Sequence, residues 1–185
     1  MDTRIVIAIA VVVMVLVILA GWAYSSNRRR LQLRESFGPE HERTVRQQGD
    51  ARRAEDVLED RQRRVAGMEI RRLPEPAIQR YSQHWWEVQK HFVDEPDASL
   101  QEADELVSDV MSARGYPIAD FEQRAADISV DHPHIVENYR IAHNIALRHQ
   151  RGEADTEDLR RALVHYRLLF QELLDRRSTD RREAA

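Results

Sequence analysis

Ile5 to Tyr24, IVIAIAVVVMVLVILAGWAY, is twenty residues without a charge, and polar residues follow at once. At about 1.5 Å per residue, a helix of that length matches a hydrocarbon core of about 30 Å. A backbone in lipid has to satisfy its own polar groups, which makes the segment a helix. After it the pattern changes to one of short apolar stripes among charges. Gly38-Pro39 in "FGPE" marks a break, with Pro39 suited to a first helical turn. From Glu40 to Met68 the apolar positions are sparse. Ala54, Val57, Leu58 and Val65 recur at helical spacing and predict one long charged helix with a thin stripe. Three uses of that helix stay open: a solvated rod carrying i,i+4 ion pairs, a projecting stalk, or a partner for a second copy of the chain through residues 40–68.

"RRLPEP", residues 71 to 76, is a second break, because a residue before proline disfavours the helical region. Beyond it the stripes widen. Ile78, Tyr81, Trp85, Val88 and Phe92 are spaced 3, 4, 3 and 4 apart, which is one face of a helix with an aromatic lining. A helix over about 98–114 turns Leu100, Ala103, Leu106, Val107, Val110 and Met111 inward and ends on Gly115. A short helix is predicted over about 118–128. Asp131 is read as the cap of the next, which carries Val136, Tyr139, Ala142 and Ile145. Thr156 is read as the cap of the last, with Leu159, Tyr166, Leu169, Phe170 and Leu173 on its buried side. The predicted fold is all-α: a single N-terminal transmembrane helix (1–27), a basic linker with the charged helix (28–73), a bundle of four to five helices (74–176), and a disordered tail (177–185). No stretch alternates with the period of a strand.

Charge gives the first segment a direction. Arg28, Arg29, Arg30 and Arg34 follow the apolar run, whereas Arg4 alone precedes it, with Asp2 opposing. A cleaved leader has the reverse order, charge first and a shorter apolar region after it. Trp22 and Tyr24 fall where an aromatic belt would meet the water interface. The expectation is an uncleaved anchor through residues 5–24, bounded by Ile5 and Tyr24, in a cell membrane. Arginine-rich flanks stay on the cytoplasmic side, which places the C-terminal domain in the cytoplasm.

The remaining charge is split along the chain. Residues 28–80 hold 14 basic and 10 acidic side chains, residues 81–185 hold 13 and 21, and the whole chain carries −4. A basic segment beside an anchor is attracted to anionic headgroups, while the acidic distal half excludes nucleic acid as its partner. Cysteine is absent, which removes disulfides, thiol nucleophiles and thiolate metal sites. No phosphate-cradling glycine loop, nucleophile elbow or H-E-x-x-H is present, so no cofactor is expected.

Two stretches could still carry chemistry. In "VDHPHIVENY", Asp131, His132 and His134 are residue types that bind metal or move protons. Their spacing argues against convergence, since ligands on one helix face lie three or four apart, and elbow-forming roles compete with the metal reading. In "HWWEVQKHF" only one of two adjacent tryptophans can face the core. Trp85 fits the stripe, leaving Trp86 either packed under a neighbour or exposed as an interface residue. "DFEQRAAD", with Asp120, Arg124 and Asp127, reads as a surface ion set or a network fixing a helix junction.

The block RGYPIADFEQRAADISVDHPHIVENYRIAHNIALRHQRGEADTEDLRRALVHYRLLFQELL, with FGPEHERTV before it, resembles a family of uncharacterised bacterial proteins that carry an N-terminal membrane helix and a charged helical body. The resemblance implies anchoring and a helical architecture. It implies no catalytic residue and no ligand. The sequence therefore points to a membrane-anchored helical protein acting as a non-enzymatic interaction or scaffold module with an unidentified protein partner. The alternatives are a small metal-dependent enzyme or sensor at Asp131, His132 and His134, and a self-associating structural protein.

Overall fold

A computed structural model of the chain describes residues 31–175, together with residues 13, 14, 16–18, 20, 21 and 28. Among these the structure is all-helical, with no strand, and no helix is long and apolar enough to cross a membrane. Most of the run from Ile5 to Tyr24, including Ile5, Trp22 and Tyr24 themselves, lies outside the described residues, as do Arg29, Arg30 and the tail from 176 onward. Arg28 and Arg34 are exposed.

A helical stretch over 31–37 leads through Gly38 into α1 (Pro39–Gln48), followed by α2 (Ala51–Ala66). The single helix predicted over 40–68 is thus two. Gly49 adopts a left-handed conformation (φ 68°) that ends α1, and the Asp50 carboxylate caps α2 by accepting from the Arg53 amide. A glycine followed by a capping aspartate is a stop and a start in three residues, and it outweighs the helical spacing on either side. The fold lets α1 pack on α2, and α2 in turn on α5.

Five further helices follow among the described residues: α3 (Glu75–His91), α4 (Pro96–Arg114), α5 (Phe121–Asp131), α6 (Val136–Gln150) and α7 (Thr156–Leu174). Short connections make neighbours pack, α3 on α4 and α6 on α7, while α4 also lies against α7. The inward stripes read from the sequence meet in one core. Val88, Val107, Val110, Tyr139, Tyr166 and Leu169 are fully buried in it, and the Trp85 ring stacks on Phe170 with centroids 4.7 Å apart. A smaller cluster of Leu33, Phe37 and Leu58, with Val130 against it, ties the entry segment and α2 to α5. The stripe of α2 is therefore used within the chain: Ala54, Leu58 and Val65 have no exposed surface.

Three helix ends differ from the expectation. The short helix begins at Phe121 rather than 118, because Asp120 accepts from the Gln123 amide, and Ile118 lies in the exposed turn before it. Asp131 is the last residue of α5, not the cap of the next helix, and its carboxylate accepts from the Tyr116 hydroxyl at 2.6 Å. Asp155, not Thr156, caps α7, in a reciprocal box with Asp158. The caps at Asp120 and Asp155 are local bonds to the third residue on, whereas Asp131 is held by Tyr116, fifteen residues away.

Candidate interaction surface

The α3 helix positions its two tryptophans on different sides because successive residues of a helix are turned by about 100°. Trp85 goes into the core. Trp86 is 55% exposed, with the Lys90 ammonium 5.4 Å from its ring centroid. Four residues apart, the two share one face and form an exposed cation–π pair. Val93, just past the helix end, is 83% exposed. On the side of α3 toward α4, His84 and His91 both approach Glu102, at 2.8 and 3.7 Å. The surface thus presents an aromatic ring with a cation over it, on a helix whose Trp85 lies in the core. The exposed Trp86 ring can bury an aromatic contact.

The histidine stretch does not assemble into a site. His132 is buried, and its Nδ1 lies 3.1 Å from Glu172 on α7. Asp131 is held by Tyr116, as above. His134 is exposed and points back toward Gly38, where an added Cβ would sit 3.6 Å from its ring. The three side chains go separate ways from a helix end and the turn after it, and among the described residues no group of three His, Cys, Asp or Glu could hold a metal ion.

Of "DFEQRAAD", Asp120, Arg124 and Asp127 go to different partners rather than forming one bracketed set, and Asp120 caps its own helix. Asp127 is buried and accepts from Arg64 Nε of α2 at 2.8 Å and from Gln123. Arg124 turns the other way. It reaches Ser108 and comes within 3.8 Å of Asp104 on α4, with its guanidinium 5.8 Å from the Tyr139 ring centroid. Tyr166 donates to Asp104 at 3.0 Å. Burial, with Asp104 adding to it, pushes the phenols of Tyr139 and Tyr166 far above their ordinary value, so both keep their protons throughout the physiological range. His143 stacks on Phe121 with centroids 3.6 Å apart, and burial lowers its pKa. This is a polar seam inside the bundle, orienting α4, α5, α6 and α7 against one another.

A second buried cluster had no local signal. Glu40 of α1 accepts from Arg61 of α2 at 2.8 Å and from both terminal nitrogens of Arg140 of α6, at 2.6 and 2.8 Å. Its side chain is 2% exposed. Burial pushes the carboxyl up from its ordinary value, and Arg61 and Arg43 pull against that shift. In the sequence Glu40 is a first-turn acid beside a proline, and Arg140 is one arginine among many. The hundred residues between them hide the pairing.

Compared with protein-family models, with curated proteins and with solved structures, the chain finds no match in any of the three.

Proposed function

We propose that this protein is a single-pass membrane-anchored helical module that recruits a protein partner and is not an enzyme. The observation that carries the reading is the charge-free run from Ile5 to Tyr24 ending on Arg28, Arg29, Arg30 and Arg34. The resemblance to membrane-anchored bacterial proteins points the same way. An anchor confines the helical body to two dimensions and raises its effective concentration near membrane partners. The Trp86 face of α3 supports the contact role: a large exposed ring on a rigid helix loses little conformational freedom when a partner covers it. The net −8 of residues 81–185 favours a basic partner surface.

Protease protection of a C-terminal tag in bacterial spheroplasts tests the orientation. Protection until lysis is expected, and digestion of the tag in intact spheroplasts would reverse the topology. Trp86→Ala tests the contact. Loss of a captured partner with unchanged thermal stability is expected, and a stability loss of the size that a core tryptophan gives would remove Trp86 from the interface.

A further inference from the structure

Between α1 and the start of α6 lies a cleft of about 550 Å³. Glu40, Arg43 and Arg46 line it from α1, and Pro133, Val136 and Glu137 line it from the opposite side. Its charge is unbalanced. Glu40 is already engaged by Arg61 and Arg140, and Glu137 lies 3.9 Å from Arg140. Counting these groups, four guanidiniums face two carboxylates. Arg43 and Arg46, both lining the cleft, supply the surplus, and Arg43 acts on Glu40 through space. Arginines elsewhere are spent differently: Arg63 on Asp60, Arg64 on Asp127, Arg160 on Glu157 and Arg161 on Asp158. The first turn of α6 has no side-chain cap, and its positive end adds to the same potential.

We infer that this cleft binds a phosphate group, carried on the headgroup of an anionic lipid. Two guanidiniums three residues apart on one helix face present forked donors to a tetrahedral anion, which suits phosphate better than a point charge would. Glu40, pinned by two arginines at the base, does not repel it as a free carboxylate would. Tyr24 and Pro39 are fifteen positions apart, so the tether holds the cleft within about 22 Å of the bilayer surface where the intervening residues are helical and within about 50 Å where they are extended. The phosphate chemistry stands on the cleft alone; its lipid source rests on the anchored reading.

The test uses the full chain in nanodiscs of phosphatidylcholine, or of phosphatidylcholine with phosphatidylglycerol, and reads amide exchange of residues 39–48. Phosphatidylglycerol is expected to slow that exchange on the order of tenfold, as two basic contacts to an anionic surface would. The effect should vanish in Arg43→Gln/Arg46→Gln and persist in Arg160→Gln/Arg167→Gln, which removes as much charge from α7. Inorganic phosphate giving the same protection in phosphatidylcholine discs, with no added effect of phosphatidylglycerol, would keep the phosphate site and overturn its lipid source. Unchanged exchange with both probes, or equal protection in the Arg43/Arg46 variant, would overturn the site. Failure of the anchored reading shows separately, as protein that does not co-elute with the discs, and the inorganic phosphate titration is then read on the protein in neutral micelles.

Discussion

Replacing Glu40 by glutamine keeps the shape of the side chain and removes its charge. In the wild type three short hydrogen bonds from Arg61 and Arg140 converge on a carboxylate that is 2% exposed. Arg140 and Arg61 are themselves only 9% and 14% exposed, so after the change two guanidiniums would be left inside with a neutral amide that accepts through one oxygen and presents an NH₂ to the other donor. Removing one partner of a buried ion cluster costs about 3–5 kcal/mol. At about 3 °C per kcal/mol for a chain of this size, that is a fall of about 10 °C in the transition that releases α1 and α2. Thermal unfolding of the full chain in neutral detergent, read together with amide exchange, gives both the size and the place of the loss. The amides of α1 and α2 should exchange faster while those of α6 and α7 are little changed, because the large core does not depend on Glu40. The triple replacement Glu40→Leu/Arg61→Met/Arg140→Met removes all three charges at similar volume and should recover most of the stability. A single substitution costing less than about 1 kcal/mol would refute the view that an ionised Glu40 holds the junction. A triple variant as unstable as the single one would show that side-chain shape, not orphaned charge, carries the cost.

Three further outcomes follow from particular positions. Gly115→Ala places a Cβ 2.4 Å from the Glu69 carbonyl oxygen at φ 103°. The left-handed backbone alone costs about 1–3 kcal/mol, so chemical denaturation should show at least that loss, and a neutral variant would mean that the 67–74 connection does not cross the end of α4. Burial holds the His143 pKa below the ordinary 6.5, so the unfolded chain takes up the proton first and stability drops as pH falls through that value. His143→Phe, which keeps the stack on Phe121, should flatten this part of the stability–pH curve between pH 7 and 5, and an unchanged slope would assign the dependence to other groups. Asp155→Ala removes the α7 cap and should cost about 1 kcal/mol in thermal unfolding, whereas Thr156→Ala should cost much less; the reverse order would return the cap to Thr156.

Periodicity placed the helices of the body and their inward faces correctly because an amphipathic stripe is a local property: Trp85, Val88, Leu106, Val110, Tyr139 and Leu169 face the core whatever the partners are. It also separated Trp85 from Trp86, since two adjacent residues cannot share a helix face. The apolar run Ile5–Tyr24 and its arginine flank are likewise matters of composition alone. Tertiary structure decided the rest. Asp131 ends its helix held by the hydroxyl of Tyr116, a contact that capping rules do not contain. The stripe of Ala54, Leu58 and Val65 is too thin to name its own partner, and only the fold shows that α5, Leu33 and Phe37 take it up. Glu40 and Arg140 meet across a hundred residues, a distance at which no local rule links one acid to one of 27 arginines. Sequence sets the faces of helices, because a face is fixed by spacing; the pairing of charges between helices is set by packing, because it depends on which faces are brought together.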